Sequence, residues 1–240
     1  MGNKRLILFN VFLILFVVSL TNYFVSASEQ VEKRLNYNEG FLYYLKSGNL
    51  KLTDDEYLAY CKDFKTDIYN KYQDDEFEWH DQFINIKKDL DDQIANYDAS
   101  RNSFKIVTNT EFDKYDFSKN GFPCKPLKLT TYFHFSPTHY ESKEIKLFFI
   151  NTDDFNFFPY SQGDAKAFTE RRKDRYGTID RSVVVAIHVN LVPTNSVEYN
   201  KLVNKISVDP SESYILVGKI NTIEVFENDS SLNAMGILVK

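Results

Sequence analysis

Apolar residues fall three or four apart over the first part of the chain and two apart over most of the rest, so helices are expected first and strands after them. Between Ser28 and about Asp98, Val31, Leu35, Asn38, Leu42 and Leu45 keep helical register, and this first run stops at Ser47-Gly48-Asn49 with Gly48 as the expected C-terminal cap. The stretch Leu52-Thr53-Asp54-Asp55-Glu56-Tyr57 then opens a second helix by a capping box. Thr53 caps, Glu56 reaches back from three residues on, and Leu52 and Tyr57 are placed to staple the start. Tyr57, Cys61, Phe64, Ile68 and Tyr72 give that helix one apolar face. A third helix is expected from about Asp75 to Tyr97, with Phe77, His80, Ile84, Lys87, Leu90, Ile94 and Tyr97 on or near one stripe. Short connections predict antiparallel neighbours.

Beyond Tyr97-Asp98-Ala99-Ser100 the period becomes two. Strands are expected at 103–112, 127–135, 144–150, 181–192, 213–227 and 235–240, with the turn-rich segment 118–126 between the first two. In 127–135, Leu129, Thr131, Phe133 and Phe135 alternate with Thr130, Tyr132 and His134. Segments 144–150 and 181–192 are apolar on both faces, which predicts central strands covered on both sides. One helix interrupts the series: Gly163 or Asp164 can cap it, about 165–176 forms its body, and Gly177 ends it. The expected class is α+β, with antiparallel N-terminal helices (28–98) followed by a mainly antiparallel β-rich segment (99–240), packed together as one domain.

The N-terminus changes the picture of where the chain resides. Lys4 and Arg5 precede a mostly apolar run from Leu6 to Leu20, and Val25 and Ala27 provide the small-residue spacing of a cleavage site. Residues 1–27 are therefore expected to be a signal peptide, cut after Ala27. An uncleaved anchor is the alternative, since the run extended to Ala27 is just long enough to cross a bilayer, and it would be the chain's sole membrane contact. Either arrangement exports the remainder to the periplasm or the extracellular space.

The chain of 240 residues is 43% hydrophobic and 26% charged, the ordinary range of a globular protein. Its net charge of −5 argues against nucleic acid as a partner and confines any anion binding to a local site. In an oxidising compartment Cys61 and Cys124 are most simply paired as a disulfide, which would close a loop of about 64 residues and stabilise the fold by roughly 4 kcal/mol. Two separate buried thiols are the alternative, because Cys61 lies on an apolar helical stripe.

Candidate chemistry is sparse. His134, on a polar strand face with Tyr132 and Thr130, is the leading acid/base candidate. His139 lies in the adjoining turn, and His188 reads as a core residue between Ile187 and Val189. Asp153 and Asp154 follow an expected central strand and are surrounded by rings, so they are the carboxylates of most interest, with a polar turn as the plain explanation. The aromatic run from Phe148 to Tyr160 is expected to serve the core rather than an exposed platform. No metal-ligand spacing, calcium loop or cofactor motif is present.

The helix near 165–176 carries Arg171, Arg172, Lys173 and Arg175, with Arg181 beyond it. Arg171 with Asp174, and Lys173 with Glu170, are expected to compensate each other on a wet face. Arg172 shares a stripe with Phe168 and Tyr176 and must find a carboxylate, a ring or a bound anion. Arg172, Arg175 and Arg181 are thus the ligand-binding candidates. The functional expectation is an exported, non-enzymatic binding or interaction protein without cofactor, its partner a protein or a small acidic ligand. The alternative is an extracytoplasmic hydrolase centred on His134, Asp153 and Arg172.

Overall fold

A computed structural model of the chain describes residues 32–124, 132–206, 208–209, 211–228 and 234–239. The signal segment 1–27 lies outside them, as do Leu129, Thr130 and Thr131 of the expected strand 127–135. The chain divides into Met1–Lys33 and a compact unit, Arg34–Lys240. That second unit is α+β.

Helix α1 (Tyr37–Gly48) is capped by Asn36, whose side chain accepts the Glu39 amide. Its C-terminal cap is not Gly48 but Asn49, which takes the left-handed conformation at φ 51°. Gly48 is instead the last helical residue, where a Cβ would lie 2.5 Å from Thr194 Oγ1. Helix α2 (Asp54–Phe64) begins with the expected capping box of Thr53 and Glu56. The helix expected to run on to Tyr72 breaks at Lys65 (φ −128°, ψ 34°), where Thr66 Oγ1 donates to the Lys62 carbonyl at 2.7 Å, and resumes as α3 (Thr66–Tyr72). The break lets Tyr69 meet Trp79 of α4 (Glu76–Asn96) edge-on, with ring centroids 5.3 Å apart. Along α4 only Leu90 of the expected stripe is fully buried, joined by Ile86, which the stripe did not include, while Phe77 is 84% and Ile84 50% exposed.

Strands β1 (Ser103–Glu111), β3 (Phe133–Phe135), β4 (Glu144–Phe149), β6 (Ser182–Leu191), β7 (Ser213–Phe226) and β8 (Ala234–Val239) form the main sheet. Its order is β1-β6-β7-β4-β3, with β8 also on β7. Pairing is antiparallel except between β4 and β7, which run parallel. Two further strands, β2 (Gly121–Pro123) and β5 (Phe157–Pro159), form a small ladder of their own. Helix α5 (Gln162–Arg171) is the expected insertion, but it stops at Arg171 rather than near 176. A second inserted helix, α6 (Val197–Val203), was not expected. It is too short for its periodicity to register, although Ser196 caps it through the Tyr199 amide.

Both faces of the central strands are covered, as their doubly apolar sequences require. On one face Phe104, Ile106, Val185, Ile187, Val189 and Leu216 meet Phe41, Tyr43 and Leu45 of α1 in the principal core. On the other, Phe148, Ile215 and Val217 meet Tyr199 and Leu202 of α6. The polar part of the sheet is pinned at Glu224, which receives Lys105 Nζ of β1 and His188 Nε2 of β6, each at 3.2 Å. Burial disfavours the ionised Glu224, but His188 and Lys105 outweigh it and hold its carboxyl below the usual range. His188 is thus a partly buried cross-strand partner rather than a fully buried one.

The expected disulfide is absent: Cys61 and Cys124 are free and buried. Cys61 lies inside α2, whereas Cys124 follows β2 and bridges Phe112 at the end of β1, so different elements hold them. Burial pushes the Cys61 thiol up to about 11 and the Cys124 thiol up to about 12, which keeps both protonated and unreactive near neutral pH.

Asp63 is the buried acid that ties the helices to the sheet. Only 4% exposed, its carboxylate accepts the amides of His139 at 2.9 Å, Glu141 at 3.3 Å and Ser142 at 2.5 Å. Tyr140, within that loop, takes the left-handed region at φ 60° so that its neighbours' amides converge on the carboxylate. Hydrogen bonds to a charged acceptor count for more than neutral ones, and losing this acceptor leaves inward-facing amides without a partner. We expect Asp63→Ala to destabilise the fold by about 2–4 kcal/mol, read as a shift in the urea unfolding midpoint. A loss smaller than about 1 kcal/mol would show that water replaces the carboxylate.

Candidate functional site

The site is built on a nest of rings. Phe112, just beyond β1, stacks on Phe122 of β2 with centroids 4.8 Å apart and planes 2° from parallel, and on Phe158 of β5 at 5.3 Å. Phe168 of α5 meets Phe112 edge-on at 6.2 Å and Phe122 at 5.8 Å. The aromatic run therefore serves the interior: Phe148, Phe149, Phe155 and Phe158 are all buried. The β2–β5 ladder is close-fitting, since any Cβ at Gly121 would lie 2.3 Å from the Phe158 carbonyl oxygen.

One wall of the site is the segment leading from β1 to β2. The Phe112 amide donates to the Arg181 carbonyl at 3.1 Å and the Asp113 amide to the Pro123 carbonyl at 3.0 Å, which fixes the start of the segment. Asp116 fixes its end by accepting the Ser118 amide at 2.9 Å, the Ser118 hydroxyl at 2.6 Å and the Lys119 amide at 3.2 Å. Between these anchors Tyr115 donates its hydroxyl to the Tyr160 carbonyl at 2.9 Å. Its ring sets Phe117 edge-on at 5.1 Å and 73°. Phe117 remains 71% exposed.

The opposite wall is α5. Ser161 caps it, accepting the Asp164 amide at 3.1 Å and donating its hydroxyl to the Asp164 carboxylate at 2.6 Å. Phe168 plugs the helix into the ring nest, and this turns Gln162, Ala165, Lys166 and Thr169, spaced as one helical face, toward the cleft. Arg181, immediately before β6, completes a cavity of about 420 Å³ also lined by Lys114, Tyr115 and Phe117. Among the described residues three cations line it and no carboxylate does. The Arg181 Nε is buried and has no hydrogen-bond partner among the described residues.

The other arginines are committed elsewhere. Arg172 caps the C-terminus of α5 and lies 3.2 Å from Asp180. It donates to the carbonyls of Asp180 (3.3 Å) and Ser182, with its guanidinium over the Phe168 ring at 5.6 Å. Arg171 pairs with Glu227 at 2.8 Å rather than with Asp174, whose carboxylate instead accepts the Tyr176 and Thr178 amides, both at 2.8 Å, and shapes the turn at Gly177. Arg175 lies over the exposed ring of Tyr176 at 4.6 Å. Of the three arginines expected to bind a ligand, Arg181 alone lines the cavity. Lys114, Lys166 and Phe117 were missed by sequence reasoning, because they come from a turn and a helix face that meet through the fold.

The candidate catalytic residues are not brought together. His134 is exposed on β3 opposite Lys146, which in turn pairs with Ile215 near the start of β7. Asp153 and Asp154 are exposed in a 3-10 turn (Thr152–Phe155) that Asn151 ties to Ile220 in the middle of β7. Arg172 contacts Ser182, beside the Val184–Phe226 pairing at the far end of β7. His139 takes part through its backbone amide, on Asp63. His80 borders a separate cleft on α4, where Lys87 already pairs with Asp54 at 2.5 Å. Among the described residues no group of three or more His, Cys, Asp or Glu is placed to hold a metal ion.

Because the Arg172 side chain is only 18% exposed and fully engaged with protein acceptors, its loss should act on stability. We expect Arg172→Met to lower stability by about 1–3 kcal/mol in urea unfolding. An unchanged midpoint would mean that these contacts are not held in solution.

Residues 53–171 match the family model of a domain of unknown function, DUF4852. No curated protein and no solved structure matches the chain. The matched segment runs from the cap of α2 to the end of α5, so it includes both walls of the cleft but ends before Arg181.

Proposed function

We propose that this chain is an exported, non-enzymatic binding protein and that its ligand is a small acidic molecule held in the cleft between residues 114–117 and α5. The observation that carries this reading is Arg181, a guanidinium that lines the cleft with no carboxylate in the lining among the described residues. Lys114 and Lys166 reinforce it. Three cations around one concavity, in a chain of net charge −5, focus a local positive potential that draws anions without drawing nucleic acid to the whole surface. Tyr115 is held by its own hydrogen bond and Arg181 by its backbone, so the cleft is formed before a ligand arrives. The hydrolase reading lacks comparable support, because His134, Asp153 and Arg172 are spread along β7 instead of facing one cavity.

Export rests on the sequence of residues 1–27. When the full chain is expressed, the form recovered outside the cytoplasm should begin at Ser28; retention at full length inside the cell overturns this part of the reading. For binding, acetate, benzoate and inorganic phosphate are titrated separately against the exported form while its thermal unfolding is followed. At least one of them should raise the midpoint. Arg181→Met should abolish the rise. If none of the three anions stabilises the protein, or if Arg181→Met responds as the unaltered protein does, the cleft is not an anion site.

A further inference from the structure

We infer that the ligand of this cleft is an amphipathic monocarboxylate, with its carboxylate on Arg181 and a flat apolar body against Phe117. This rests on the anion-binding reading above and narrows it to one chemical class. The first argument is depth. Arg181 is half-buried whereas Phe117 is largely exposed, so a bound molecule would have its anionic end inward and its apolar body toward the rim. A guanidinium presents parallel donors that match the two oxygens of a carboxylate.

The second argument is the wall. An isolated exposed Phe needs no explanation. Phe117, however, borders a cavity and is set edge-on by Tyr115, and the small side chain of Ala165 on α5 lines the same cavity. Ring-on-ring contact of this kind favours a flat partner over a hydrated one.

The third argument separates carboxylate from phosphate. Phosphate sites commonly use free backbone amides at a helix N-terminus. In the first turn of α5 the Asp164 amide is taken by the Ser161 hydroxyl and the Ala165 amide by the Ser161 carbonyl, and the Asp164 carboxylate opposes a dianion there. The amides of Phe112 and Asp113 are likewise occupied. The Gln162 and Gly163 amides lie beside that same Asp164 carboxylate, so the charge that the lining offers an anion is that of side chains, with Arg181 as its guanidinium. At about 420 Å³ the cavity lies toward the small end of the range for small-molecule sites, which suits a molecule of one or two rings or a short acyl chain.

The test measures, by calorimetry on the exported form, the affinities of 2-naphthoate, acetate, 2-naphthylmethanol and inorganic phosphate. 2-Naphthoate should bind at least about tenfold more tightly than each of the other three, since it alone fills both ends of the site. Phe117→Ala, a change at an exposed side chain, should weaken 2-naphthoate about three- to tenfold and narrow its preference over acetate. Arg181→Lys should weaken 2-naphthoate by about tenfold although the charge is kept, because the fork is lost. If inorganic phosphate binds as tightly as 2-naphthoate, or if Phe117→Ala leaves 2-naphthoate unchanged while Arg181→Met abolishes it, the class is wrong and the anion site stands. If none of the three anions binds, both readings fall.

Discussion

The structure depends on one constraint, that every buried amide and carbonyl of strand β7 (Ser213–Phe226) must be paired from both sides. No single neighbour does this over its whole length. One edge is taken by β6 from Gly218 to Phe226, while the other passes from β4, parallel, in the first half to β8, antiparallel, in the second. The handover occurs near Gly218, where β4 ends and where a Cβ would lie 2.4 Å from a Val189 methyl carbon. The register between β6 and β7 shifts a little further along, where His188 pairs with Thr222 and Val189 with Ile220 so that Asn221 is passed over. Gly218, a small residue in an otherwise bulky strand, leaves room for the Val189 side chain of β6 just before that shift. Two hydrophobic clusters result, because alternate residues of β7 face opposite sides: Tyr214 and Leu216 join one cluster, Ile215 and Val217 the other.

The cleft is a by-product of how the chain closes one end of that sheet. The rings of Phe112, Phe122, Phe158 and Phe168 draw three separate segments together: the exit of β1, the small β2–β5 ladder and α5. Once Phe168 is buried, the polar side of α5 has to face the segment around Tyr115 across a gap, and the residue joining the two is Arg181 through its carbonyl. Arg172 and Arg181 lie in the same short stretch yet have opposite fates. The first is absorbed by Asp180, Ser182 and the Phe168 ring in holding α5 to the start of β6. The second has its backbone fixed and its buried Nε unsatisfied.

Much of the fold was legible wherever a local interaction decides the outcome. The Thr53–Glu56 box, the covered strands at 144–149 and 182–191 and the position of α5 all follow from side chains acting on their immediate neighbours. The failures have tertiary causes. The break at Lys65 serves a contact between Tyr69 and Trp79 that no helical periodicity records. Helix α6 is fixed by burial of Tyr199 and Leu202 against the sheet rather than by its own length. Of the site, the stretch Phe168–Arg181 was identifiable as unusual, yet amphipathic spacing pointed to Arg172, since a stripe shows which residue is buried and not which one lacks a partner. Lys114 and Phe117 gave no signal, because their role exists only once α5 stands opposite them.

The carboxylate of Asp63 has a bearing on the order in which the chain assembles. Its contact with the His139 amide spans 76 residues of sequence, whereas the capping interactions on either side of α2 span three or four. Such distant pairings carry the loop-closure entropy of everything between them and tend to be made after local structure exists. Helices α2, α3 and α4 can therefore form as a fluctuating hairpin early, but α2 gains its anchor when the loop before β4 has closed and turned its amides inward. Until then the Asp63 side chain stays hydrated, which makes docking of the helical layer and completion of the sheet a single cooperative event instead of two successive ones.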